Sequence, residues 1–272
     1  MLIRIITSLY TLVFAASICH AAEYKLAIQP ILPQQQLEKN FKPLADYLSK
    51  ETGHTITIAT QRNFLFYWTK MRKKKEGFDL VLDAAHLTDY RTKNFGYNVL
   101  AKMPDTVSYS IVTRNDRLLF DSEDLIGLRV ATMHSPSLGS VRLESLFPNP
   151  MRMPHYVFEL NASTAVEHIM SGEVDAAIIP TRLAAEYDNL NIVLTTKPVP
   201  HMALSASPTV PADVAEKIRN ALINAENTAD GQVILRKLKL KKFEAADNKT
   251  YDGYAKLLEG AFGYLPTENV AE

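Results

Sequence analysis

Two successive runs in which strand-like and helix-like segments alternate constrain this chain more than any other feature. Tyr24-Lys-Leu-Ala-Ile28 reads as a strand that ends at Gln29-Pro30. Residues 36–50 then repeat Leu37, Phe41, Leu44 and Leu48 at helical spacing until Gly53 stops them. Residues 54–59 alternate as a strand, 64–74 carry a second helix, and Phe78-Asp-Leu-Val-Leu82 is the near-continuous apolar strand of a buried parallel sheet. Strands at 98–102 and 107–113 follow. After a turn-rich stretch, 115–127, the alternation restarts with strand 130–133, helix 139–146, strand 156–160, helix 163–170, strand 175–179, helix 182–188 and strand 192–195. Strand 202–206 and helices 211–225 and 251–261 complete it, Pro211 being suited to a first helical turn. Two such runs predict an α/β protein of two lobes joined by two crossing strands, 109–113 and 200–206. Residues 22–113 with 201–272 then build one lobe and 114–200 the other. A ligand would sit between them, against the carboxyl ends of the strands.

The first 21 residues predict export. One charge, Arg4, precedes the apolar run Leu9-Tyr-Thr-Leu-Val-Phe-Ala-Ala16, and Cys19-His-Ala21 forms a small-x-small cleavage site. The run is shorter than the roughly 20 apolar residues of a bilayer span. Cleavage after Ala21, or after Ala22, would remove the single cysteine. A lipid anchor on Cys19 is disfavoured by the bulky Ile18 before it. The mature chain therefore has no thiol chemistry and no disulfide, in an expected periplasmic location.

Charge narrows the partners. With 30 basic and 30 acidic side chains, no basic field exists to hold nucleic acid or an anionic membrane. The basic run at Lys70, Arg72 and Lys73-Lys-Lys75 reads as the solvent end of a helix, where cations also suit the dipole, and 237–242 reads the same way. A monomer of about 250 residues suffices for two lobes.

The candidate binding loop lies after strand 130–133. Met133-His-Ser-Pro-Ser-Leu-Gly-Ser140 opens an amphipathic helix, whose first N–H groups have no partner within the helix. Hydroxyls from Ser135 and Ser137 would add donors for an anion; either serine would equally serve as an N-cap.

The chain resembles the phosphate/phosphite/phosphonate-binding periplasmic solute-binding proteins of ABC importers. The resemblance rests on Phe41-Lys-Pro-Leu-Ala-Asp-Tyr-Leu-Ser49 with Glu51-Thr-Gly53, on Gly77-Phe-Asp-Leu-Val81, on Val107-Ser-Tyr-Ser-Ile-Val-Thr113, on Asp124-Leu-Ile-Gly-Leu-Arg-Val-Ala131 with the Ser-Pro-Ser-Leu-Gly loop, and on residues 165–178. It implies the type II periplasmic binding fold, two lobes closing on a small oxyanion, and delivery to an ABC permease. A ligand-sensing partner of a membrane receptor kinase is the alternative role. Carried over to this chain, it implies ligand contacts from Ser135, Ser137 and Gly139, from the strand–helix junction at Asn161, Ser163 and Thr164, and from the aromatic positions Tyr67 and Tyr90. Ser108 and Tyr109 fall at a crossing. Tyr67, within Phe64-Leu-Phe-Tyr-Trp68, equally suits a core, and Asn161 or Ser163 equally suits a helix cap.

Three departures from the family pattern bear on the ligand. Pro136 and Leu138 stand where the loop usually carries hydroxyls. Pro180-Thr181 offers no acid to an aminoalkyl group. Asp83 follows a strand directly, where it would either cap the next helix or repel an anion unless His86 or a ligand cation compensates. His86, His134, His155 and His201, near strand ends, would suit Zn or Cu only if folding gathered them with Asp83, and no tight ligand spacing is present. A His⁺ contact from His86 to the oxyanion is the other use. No Gly-x-Ser-x-Gly elbow, His-Glu-x-x-His or P-loop points to an enzyme. A secreted hydrolase with a dispersed triad is the least favoured reading. No cofactor is expected.

Overall fold

The computed structural model describes residues 21–73 and 77–265; nearly all of the expected signal peptide, with Lys74 and Lys75, lies outside them. Among the described residues twelve strands, β1 (Glu23–Ile28), β2 (Thr55–Ala59), β3 (Leu80–Asp83), β4 (Asn98–Lys102), β5 (Thr106–Val107), β6 (Tyr109–Arg114), β7 (Arg129–Met133), β8 (His155–Glu159), β9 (Ala176–Pro180), β10 (Leu190–Thr195), β11 (Val199–Pro200) and β12 (Ala203–Ala206), form two sheets and a ribbon. The first sheet runs β2-β1-β3-β12-β4, the second β10-β6-β9-β7-β8, and β5 pairs with β11 between them in sequence. Within each sheet the β-α-β strands are parallel and the strands that return from the other half are antiparallel, as β6 is to β9 and β12 is to β3. This is the two-lobed α/β architecture expected from the alternation, and the return strands give it the type II periplasmic binding topology that the family resemblance implied.

Among the described residues eight helices cover the sheets: α1 (Gln34–Thr52), α2 (Phe64–Arg72), α3 (Ala85–Phe95), α4 (Leu138–Glu144), α5 (Ala162–Ser171), α6 (Thr181–Ala184), α7 (Ala212–Ile223) and α8 (Ala229–Lys237). The α1 stripe of Leu37, Phe41, Leu44 and Leu48 is buried, and it joins Leu26, Ile28 and Leu82 of the sheet with Ile218 and Leu222 of α7 in one core. Gly53 ends α1 with φ 75°, a left-handed conformation that glycine adopts without a Cβ penalty. The second sheet is sealed by Ala165, Val166 and Ile169 of α5 on one face and by Leu125 and Leu143 on the other. Among the described residues no helix is long and apolar enough to cross a membrane.

The structure departs from the sequence expectations in five places. Residues 109–113 and 203–206 are interior sheet strands, and the crossing is made by the short ribbon of β5 and β11. No apolar stripe announced α3, because polar His86, Thr88, Asp89 and Arg91 are buried along with its apolar side chains. The helix expected at 182–188 is one turn, Thr181–Ala184, and the one expected at 251–261 is two short 3-10 turns, Asn248–Tyr251 and Tyr254–Leu258. Of helix α8, whose apolar face Ile234 and Leu235 closes the first core, only the basic end expected at 237–242 was foreseen, and the helix ends at Lys237.

The halves also touch directly. Leu138 and Val141 of α4 share an apolar cluster with Ala84, Ala85, Val99 and Tyr251. Beside it, the His86 Nε2–H donates to the Pro136 carbonyl at 2.8 Å. Among the described residues Nδ1 of that fully buried ring has no hydrogen-bond partner, and burial holds the imidazole neutral, its pKa lowered to about 4.

Candidate functional site

A cleft of about 600 Å³ opens where the carboxyl ends of the strands in both sheets face one another. From the first sheet come Gln29 after β1 and Ala84 after β3; from the second come Met133 of β7 and Pro180 of β9. That is where an open α/β sheet holds ligands, since the strands stop there and loop groups are free to face inward. Gln29 fixes one wall: its backbone N–H donates to the Leu82 carbonyl at 3.2 Å, and its side-chain oxygen accepts from the Ala84 N–H at 3.0 Å.

Sheet register builds a chain of hydroxyls on the opposite wall. Antiparallel pairing sets Tyr109 opposite Pro180 and Ser110 opposite both Ile179 and Thr195. The residues flanking these pairs on one face therefore meet. Ser108 Oγ donates to Thr181 Oγ1 at 2.9 Å, and Ser110 Oγ lies 2.9 Å from both Thr181 Oγ1 and Thr195 Oγ1. The Thr181 N–H donates to the Ser108 carbonyl at 2.9 Å, which locks the junction. Of this chain, Ser108 and Thr181 line the cleft.

One positively charged side chain adjoins these hydroxyls in sequence. Arg182, next to Thr181, lines the cleft, is exposed to it, and makes no ion pair with a described residue. His201 lines the same region; its Nδ1 accepts from the Met202 N–H at 2.8 Å, so the neutral ring carries its proton on Nε2. Burial, then Lys102 and least of all Arg182, lowers the His201 pKa to about 4 against an opposing pull from Asp105. Exposed Lys239 and Lys241, beyond the end of α8, also border the cleft, and Asp105 is the carboxylate among its lining. The side chain of Tyr109 lies against Gly139, where a Cβ would approach its ring to 3.1 Å, and burial pushes its phenol up to about 12.

The residues singled out from the sequence are scattered by comparison. Ser137 and Gly139 line the cleft. Ser137 is buried as the N-cap of α4: its Oγ accepts from the Ser140 N–H at 3.1 Å and donates to Ser140 Oγ at 3.1 Å. Ser135 Oγ donates to a carboxylate oxygen of Glu144 at 3.3 Å, so it faces a group that would repel an anion; burial raises the pKa of Glu144. Asn161 caps α5 by accepting from the Thr164 N–H at 3.0 Å, Ser163 is exposed, and Ala162 is the residue of that junction that reaches the cleft lining. Tyr67 is in the first-lobe core, its hydroxyl donating to Asp83 Oδ1 at 2.6 Å. Tyr90 packs there against Trp68, Phe95 and Tyr264. His86 meets Pro136, as described, and is not part of the lining.

Asp83, the carboxylate whose direction the sequence left open, faces inward and is fully buried on Arg91, Nε to Oδ2 at 2.6 Å. Among the described residues no group of three or more His, Cys, Asp or Glu side chains could hold a metal ion; His134 stacks on Phe158 and His155 is exposed on a strand. Arg182, Gln29, Lys239 and Lys241 were not foreseen as cleft-lining residues. The serines of strand 107–113 were the available signal, because pairing that strand with 176–180 brings Thr181 and Arg182 to Ser108.

Similarity to solved structures agrees with this architecture. The chain superposes on PhnD1 of Prochlorococcus marinus in complex with methylphosphonate with a TM-score of 0.73 at 17% identity, covering 88% of this chain and 97% of that one. A binding protein component of an ABC phosphonate transporter from Pseudomonas aeruginosa gives 0.70 at 14% identity, covering 85% and 83%. A Xanthomonas citri protein bound to ATP gives 0.69 at 14% identity, covering 88% and 97%. A search of curated proteins by sequence finds no match. The family model for the periplasmic substrate-binding protein of phosphonate ABC transporters matches residues 26–251, most of the chain, and the protein belongs to that family.

Proposed function

We propose that this protein is an extracytoplasmic solute-binding protein that closes on a small oxyanion, a phosphate, phosphite or phosphonate, for delivery to an ABC importer. The observation that carries the reading is the juxtaposition of Arg182 with the Ser108–Thr181 hydroxyl pair and His201 in a cleft lined by both sheets. An oxyanion there would accept from the Arg182 guanidinium, from the His201 Nε2–H, and from hydroxyl groups that can rotate toward it. Charge-assisted bonds of this kind contribute about 1.5–3 kcal/mol each.

The mechanism is closure rather than chemistry. A ligand touching Arg182 and Thr181 on one side and His201 on the other favours the state in which both are near it. We divide the lobes before β6 rather than within it, since Tyr109–Arg114 hydrogen bonds wholly in the second sheet; the boundary expected at 113/114 would cut that strand. The ribbon of β5 and β11 would then be the hinge. Two measurements test the reading: calorimetric titration of the purified protein with phosphate, phosphite and methylphosphonate, and uptake of the bound anion by cells with and without the protein. Absence of binding by all three anions would overturn the ligand class; binding without an effect on uptake would overturn the importer role.

A further inference from the structure

The cleft is larger and more apolar than a bare oxyanion needs. At about 600 Å³ it has room for on the order of 20 water molecules, whereas a phosphate or methylphosphonate has only a handful of non-hydrogen atoms. A cavity of this size matches ligands with a substantial organic body. Four of its polar groups are together in one part: Arg182, Thr181, Ser108 and His201 all adjoin the ribbon of β5 and β11, in sequence or by hydrogen bond. The remainder is largely aliphatic, with Ile31 and Leu32 after β1, Met133 at the end of β7, Leu138 opening α4, Ile178 and Met202; its polar members are Gln29 and Ser137, whose side chains are bonded within the protein, and the exposed Lys239 and Lys241. Ile31 and Leu32 are only partly buried where they pack on the first core, so their outer faces are open to the cleft.

From this arrangement we propose that the ligand is an amphiphilic anion: an oxyanion headgroup held at Arg182 and the Ser108–Thr181 hydroxyls, carrying an alkyl or aryl substituent that lies against Ile31, Leu32, Met133 and Leu138. The inference rests on the oxyanion reading above and specifies the body of the molecule that the headgroup carries. A short polar substituent gains nothing from the aliphatic wall. An ammonium group would meet Arg182, Lys239 and Lys241, with Asp105 the carboxylate available to it. An apolar chain displaces water from both lobes at once, so it also strengthens closure.

The test is a calorimetric series with methyl-, butyl-, hexyl- and phenylphosphonate on the purified protein at one pH and ionic strength. Each buried methylene should tighten binding by roughly threefold to fourfold. Butylphosphonate is therefore expected to bind at least tenfold more tightly than methylphosphonate. In Leu32→Ser the ratio of hexyl to methyl affinity should fall severalfold toward one. Equal affinities for methyl- and butylphosphonate would overturn this inference while leaving the oxyanion reading in place. Binding of 1-hexanol as tight as that of hexylphosphonate would show that the headgroup contributes nothing and overturn both, as would no binding across the series.

Discussion

Arg91 Nε donates to Asp83 Oδ2 at 2.6 Å with both side chains wholly out of solvent, and the Tyr67 hydroxyl completes the carboxylate from the other oxygen at 2.6 Å. The arrangement removes from the cleft a charge that would oppose an anion, although Asp83 sits one residue from the lining residue Ala84. A buried ion pair of this kind is costly to break, since the surviving charge has no water to turn to.

Arg91→Met should therefore destabilise the fold by about 3–5 kcal/mol. At roughly 2–4 °C per kcal/mol for a protein of this size, Tm falls by about 6–20 °C. Scanning calorimetry checks this. An unchanged Tm would mean that the pair contributes little to the first lobe.

Ser137 caps a helix, and its hydroxyl is engaged as both acceptor and donor. Ser137→Ala should lower stability by about 1 kcal/mol and shift methylphosphonate affinity by less than about threefold. Ser135→Ala, which removes a bond to Glu144, should leave affinity unchanged within the same limit. Loss of binding in either variant, read by titration beside thermal unfolding, would return the site to the loop before α4.

The neutral, buried His86 makes stability depend on pH with a definite sign. Its folded pKa, about 4, lies below the ordinary value of 6.5, so between these limits the unfolded chain binds the extra proton. Stability is then fully present above pH 6.5 and is lost as pH falls toward 4, by roughly 3 kcal/mol at the lower limit. His201 acts in the same direction. Urea unfolding at several pH values should show a shallower decline in His86→Gln than in the parent. Parallel curves would contradict the assignment.

The fold was legible in the chain because its elements carry strong periodic signals. The α1 stripe and the apolar run at Leu80–Leu82 can be read without tertiary information. Helix α3 was hidden because its buried face is polar, with Asp89 accepting from the Ala255 N–H at 2.7 Å and Arg91 reaching Asp83. The site was less legible. Ser135, Ser137, Asn161, Tyr67 and Tyr90 have the residue types an anion or aromatic box would use, yet short-range rules cannot distinguish a cap or a core hydroxyl from a free donor. Arg182 became visible only through the pairing of β6 with β9, a contact across about 70 residues of sequence.

The most direct test is isothermal titration of methylphosphonate into the parent protein and Arg182→Ala. Arg182 is exposed and unpaired among the described residues, so its removal should leave the Tm of the ligand-free protein unchanged. The expected result is saturable binding at one site in the parent, weakened by at least tenfold in Arg182→Ala and partly restored in Arg182→Lys. Equal affinity in the parent and Arg182→Ala would contradict the account and place the oxyanion elsewhere in the protein.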